Sequence, residues 1–175
     1  MIVKYFILVF LLIPLSCAGQ LLGFSEQLSK FDGGHKFQFN ASAAFPYLNN
    51  FNKYNDDIRW ALCGGVDYLS GSSIVSGLNI KPVSFMATTS EIFEDTPLTL
   101  MLGADAGYNF NFKHGHDGVI LTPFLYLDYN FIYLKAGYDY NTFENEGQFF
   151  VRLGAGIGPG FIKMISRSRH FRVVR

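Results

Sequence analysis

Between residues 36 and 159 the chain alternates, position by position, between an aromatic or aliphatic residue and a glycine, small polar or charged one. Side chains of an extended strand point to opposite faces with a period of two, so each such run predicts a β-strand with one oily and one polar face. The runs cover residues 37–45, 58–68, 74–81, 100–112, 121–131, 132–140 and 149–158. In the fourth, Leu100, Leu102, Ala104, Ala106, Tyr108, Phe110 and Phe112 face one way, and Met101, Gly103, Asp105, Gly107, Asn109 and Asn111 the other. At roughly 9 to 14 residues, the runs have the length a tilted strand needs to cross a bilayer.

The polar faces carry more information than the oily ones. They collect Arg59, Lys81, Lys135 and Arg152 together with Asp67, Asp105, Asp128 and Asp139, while the oily faces of the same runs carry no charge. A water-soluble sandwich would turn its charges outward over an aliphatic core. Here Tyr68, Tyr108, Phe112, Tyr129, Phe131, Tyr138 and Tyr140 gather toward run ends, as girdles at a lipid–water boundary do. Glycines on the charged side suit the cramped interior of a narrow barrel. Charges enclosed there must pair, because breaking a buried pair costs about 3–5 kcal/mol. The expectation is an all-β, antiparallel up-and-down transmembrane β-barrel, of eight strands by the even-number rule for bacterial barrels, with those eight charged residues forming an interior ion-pair network.

The N-terminus supplies the route. Residues 1–18 combine Lys4, an apolar stretch and the small-x-small site Ser16-Cys17-Ala18, which reads as a cleaved signal peptide. Cys17 also admits a lipoprotein reading, although Pro14 stands where that motif prefers a branched aliphatic residue. In residues 19–35, Leu21, Phe24, Leu28 and Phe31 have helical spacing, which fits either a short amphipathic helix on a membrane surface or an irregular linker. The barrel is assigned to residues 36–165, its eighth strand to residues 161–165, and residues 166–175 form a basic tail that suits lipid phosphates or solvent.

The segments Phe124-Leu125-Tyr126-Leu127-Asp128-Tyr129-Asn130-Phe131, Tyr133-Leu134-Lys135-Ala136-Gly137-Tyr138-Asp139-Tyr140 and Phe150-Val151-Arg152-Leu153-Gly154-Ala155-Gly156-Ile157-Gly158 resemble the small outer-membrane barrels of the porin-like superfamily, usually eight-stranded. The resemblance implies a Gram-negative cell envelope, surrounding outer-membrane lipids or lipopolysaccharide, and insertion by a barrel-assembly machinery that reads the last strand. That strand commonly ends in an aromatic residue; in this chain Phe171 stops short of the terminus.

Composition adds limits. The 175 residues have formal charge +0, which gives no argument for nucleic acid, and a length that suits one domain. Cys17 and Cys63 make no disulfide framework. His114 and His116, two apart on a glycine-containing loop, are a weak candidate for a divalent metal, and otherwise no metal or cofactor is called for. Asp56, Asp57, Glu91, Glu94 and Asp95 keep loops soluble, or hold calcium between lipopolysaccharide phosphates. No serine stands beside a histidine and an acid as a lipid-modifying barrel enzyme would need. The expected function is therefore a non-enzymatic outer-membrane barrel with a structural or interaction role, plugged by ion pairs, with the loops at 49–57 and 87–97 outside. The alternatives are a secreted soluble barrel with an apolar ligand inside, and a lipid-modifying barrel enzyme.

Overall fold

In the computed structural model, residues 22–158 are described apart from 32–33, 51–56, 91–97 and 113–116. Eight strands follow one another in chain order: β1 (Leu22–Phe31), β2 (Gly34–Asn49), β3 (Ile58–Leu69), β4 (Gly77–Thr89), β5 (Leu98–Phe110), β6 (Gly118–Tyr129), β7 (Ile132–Asn141) and β8 (Glu146–Ile157). Each lies antiparallel to the next, and β8 pairs back onto β1, so the sheet closes into a barrel with no free edge. Following paired residues once around, from Leu22 through Ala43, Val66, Ile80 and Tyr108, climbs roughly 12 residues, the stagger that closure of tilted strands requires.

The alternation seen in the sequence becomes an inside and an outside. Leu125, Leu134 and Val151 are 42%, 38% and 48% exposed, whereas Asp105, Lys135 and Arg152 are 4%, 9% and 4% exposed. The oily rows therefore face out and the charged rows face in. Leu22 pairs with Ile157, so both ends of the barrel emerge at one rim, here called the terminal end. Tyr47, Trp60, Phe85, Tyr129 and Phe131 lie toward that rim; Phe37, Tyr108, Phe110, Tyr138, Phe143 and Phe149 lie toward the opposite one. Neighbouring rings touch within each group, as in Trp60–Phe85 at 6.4 Å and Tyr138–Phe149 at 4.6 Å between centroids. Aliphatic residues such as Val83, Leu102, Leu125 and Val151 are exposed between the two groups.

Several expectations need correction. Residues 22–31 form a strand, not a helix or linker, and they complete the barrel. Leu22, Phe24 and Leu28 alternate with the buried Ser25, Gln27 and Ser29, so the segment satisfies a period of two as well as helical spacing. Closure decides between them, since β1 alone supplies backbone partners to β2 on one side and β8 on the other. The segment proposed as an eighth strand, 161–165, lies outside the described residues, as do the signal segment with Cys17 and the basic tail. Strand β2 continues past Pro46 through a register shift between Pro46 and Leu48. Strand β4 starts later than expected and runs on to Thr89, passing Pro82 at an irregularity between Ile80 and Val83 where a missing N–H is tolerated.

Ile74 belongs to no strand. The β3–β4 connection, residues 70–76, folds back into the barrel mouth, burying Ser73, Ile74, Val75 and Ser76 against Leu69 and Ile120. Side chains from the walls hold its backbone: Gln38 Nε2 donates to Ser70 O (2.9 Å) and Val75 O (3.2 Å), and Asn111 Nδ2 donates to Ser73 O (3.1 Å). Ser76 Oγ donates to Asn111 Oδ1 at 3.0 Å. Gly71 and Gly77, at φ 90° and 82°, supply the left-handed turns that send the loop inward and bring it out. The loop is a stopper for this rim.

Replacing Gly77 by valine forces a branched residue into a left-handed conformation and drives its Cβ against Phe110 O. Gly77→Val is expected to lower stability by about 2 kcal/mol or more, read as a shift in urea midpoint.

Candidate functional site: an enclosed ion-pair network

The eight charged residues singled out by the sequence pattern are all buried. Five of them join directly. Asp105 on β5 accepts from Lys81 on β4 and Lys135 on β7, with Nζ to Oδ2 distances of 2.9 and 2.8 Å. Lys81 also reaches Asp67 on β3 at 2.5 Å, and Asp67 accepts from Arg152 on β8 at 3.3 Å. Strands β3, β4, β5, β7 and β8 each supply one inward charge to this network because alternate positions face in, and the barrel is narrow enough for opposite walls to meet.

Neutral groups complete the network. Gln27 on β1 accepts from Arg152 Nε and Nη2 at 3.0 and 2.7 Å, and Ser84 Oγ donates to the second oxygen of Asp105 at 2.5 Å. Through Gln27 the network continues to the stopper: Gln27 Nε2 donates to Ser29 Oγ at 2.8 Å, and Ser29 Oγ donates to Gln38 Oε1 at 2.9 Å. Lys135 Nζ lies 3.7 Å from the centre of the Phe124 ring, a cation–π contact inside the barrel. Phe124 fits there because Gly103, on the facing strand, leaves its ring room.

The remaining three predicted residues sit around this centre. Asp139 accepts from Thr122 Oγ1 at 2.7 Å and Gln148 Nε2 at 3.1 Å. Asp128, toward the terminal end, accepts from the Tyr126 hydroxyl at 3.2 Å. Arg59 is buried near the same end. Between the network and the Asp128 and Arg59 end lies an apolar layer of Ala61, Cys63, Met86, Met101, Phe124, Tyr126 and Tyr133, with the two tyrosine rings stacked at 5.6 Å. Cys63 is a free, buried thiol within it.

A cavity of about 40 Å³ borders Asp67, Lys81, Asp105, Lys135, Arg152 and the tyrosine pair. That volume suits a few water molecules and nothing larger. Gln27, Ser84, Tyr126 and Tyr133 were not foreseen as participants; Gln27 was legible only through its alternation with Ser25 and Ser29. His114 and His116 lie outside the described residues. Among the described residues no group of three or more His, Cys, Asp or Glu side chains could hold a metal ion, and the histidine among them, His35, is exposed at the start of β2.

Asp105→Ala leaves the buried Lys135 ammonium without its carboxylate and Lys81 with Asp67 alone, and is expected to cost about 3–5 kcal/mol. The double variant Asp105→Leu, Lys135→Met removes charge from both sides and should lose less than the sum of its single changes. Urea unfolding of the refolded barrels, analysed as a double-mutant cycle, measures the coupling.

No protein-family model, curated protein or solved structure matches the chain, so the arrangement of charges and oily rows speaks for function.

Proposed function

We propose that this chain is a non-enzymatic outer-membrane β-barrel with a structural or interaction role, its interior closed by ion pairs and by the 70–76 stopper. The observation that carries the proposal is the orientation of the sheet. Exposed Leu, Val, Ile and aromatic residues recur on the outside of every strand while the eight charges of the inward rows are enclosed. In water such a surface is an aggregation hazard far larger than the apolar patches a soluble monomer exposes. In hydrocarbon it is the solvent-matched surface, and a closed barrel satisfies its backbone groups without water. The aromatic groups near the two rims suit headgroup level.

The soluble carrier of an apolar ligand fares worse. It requires oily rows turned inward around a roomy pocket, whereas the inside carries the charges and a cavity of about 40 Å³. Lipid-modifying chemistry has no support among the described residues, where no exposed serine, histidine and acid converge.

The topology supports one orientation across the membrane. An even-stranded barrel keeps both ends on one side, and export followed by insertion delivers the chain from the periplasmic side. The terminal end then faces the periplasm, together with the connections at 50–57 and 90–97. This reverses the expectation from loop length, because those connections share their rim with both barrel ends. The stopper end faces outward, where Lys30 and His35, paired across β1 and β2, and the adjacent exposed Lys36 suit the phosphates of lipopolysaccharide.

Fractionation of cells expressing the chain is expected to recover it with outer membranes, extractable only by detergent, with faster gel migration when unheated. Recovery as a soluble periplasmic protein would defeat the proposal. Leu125→Arg is expected to cost up to about 2–4 kcal/mol in folding into lipid, the midplane value for an outward cation. Purified barrel in planar bilayers should show no steady open channel.

A further inference from the structure

Among the described residues, Glu26 is the one charged side chain exposed in the middle of a strand. Every other exposed charge lies in a connection or near a strand end: Lys30, His35, Lys36, Asp57, Asp117, Glu144 and Glu146. Glu26 points outward between Phe24 and Leu28 and pairs across the sheet with Phe39 on β2 and Leu153 on β8. At about 3.3 Å per residue it lies roughly 13 to 17 Å along the strand from either end of β1, beyond easy reach of headgroups or of Lys30. A polar group held at that depth is costly unless it finds a hydrogen-bond partner.

The surrounding face sets large residues beside small ones. Phe24 stands out as a ridge, stacked on Phe39 at 6.3 Å between centroids, with Ala41 beside it on β2 and Ala155 beside it on β8. Ridge and hollows on one surface are what a two-fold contact needs, since each partner supplies both. Two copies in one membrane share orientation and depth, so an axis along the membrane normal brings this face against itself with the two Glu26 residues level. Two carboxyl groups brought level can be joined by one hydrogen bond between them, whereas each alone would face hydrocarbon without a partner.

We infer that the β8–β1–β2 face is a self-association surface through which two copies of this chain pair side by side in the membrane, with Glu26 meeting the partner's Glu26. The inference rests on the proposed membrane location. Small residues let the two sheets approach closely, and the carboxyl pair supplies the polar tie. On β1 and β2 the nearest outward titratable groups are Lys30 and His35, both toward the stopper rim, and β8 presents none along its outward row from Gly147 to Ile157.

The full-length protein, reconstituted in vesicles of outer-membrane lipid at increasing protein-to-lipid ratio, tests this by single-molecule subunit counting. The wild type should move from one to two subunits. Glu26→Gln, which still donates and accepts, should stay within about threefold of it, and Glu26→Leu should weaken pairing by about tenfold or more. Ala155→Phe, which fills a hollow but leaves the carboxyl, should weaken it too. Heat-dependent gel migration verifies that each variant is folded. Wild type that stays single at every ratio, Glu26→Leu that pairs as well as wild type, or a single barrel retaining an amine-bearing lipid through Glu26 would each overturn the inference and leave the membrane location standing. A protein that never enters vesicles would overturn the location itself.

Discussion

A charge sealed inside a closed sheet has to find its counter-charge within that sheet. Much else in this molecule follows from that constraint. Asp105 joins Lys81 to Lys135, Asp67 joins Lys81 to Arg152, and Gln27 caps the arginine from the remaining side, so β1, β3, β4, β5, β7 and β8 are tied across the lumen. Any one-residue slip between neighbouring strands would turn one partner to the outside and leave the other alone. Hydrophobic rows by themselves tolerate a slip by two; a particular carboxylate bridging two particular lysines does not. The ionic centre thus selects one register, while the oily exterior selects only which face is out.

The same constraint explains why so much of the interior was legible. Charges on the small-residue face of strands as regular as β5, β6 and β7 have one consistent destination, and the structure puts all eight of them inside. What hid was what needs tertiary context. Phe24 and Leu28 fit both a helix and a strand, and only the need to close β8 onto β2 chooses. Pro46 and Pro82 look like strand ends, yet both sit at register irregularities that absorb a residue without a donor. Ser70-Gly71-Ser72-Ser73 reads as a plain turn, and nothing local reveals that Gln38 and Asn111, far away in sequence, will draw the following residues into the mouth. The network was foreseen as pairs of charges; its neutral members, Gln27 and Ser84, carry no signal that distinguishes them from solvent-facing polar residues.

The two surfaces of the sheet solve different problems. Inside, four charges of each sign offset one another, and aromatic rings laid over glycines fill part of the space that remains. Outside, side-chain identity is loosely specified as long as it is apolar, which makes the mid-strand Glu26 the position least explained by burial or folding. On the proposed reading, the inside sets stability and the outside sets what the barrel meets.

The pairing of Leu22 with Ile157 has a temporal consequence. Strand β1 leaves the ribosome before β8 and cannot be satisfied on its second side until β8 has been made, so the chain spends its synthesis as an open sheet or an unfolded thread. Contacts that span nearly the whole described chain form slowly, and two bare edges with adhesive backbone groups persist meanwhile. Until the ends find each other, those edges can pair with any other strand they meet.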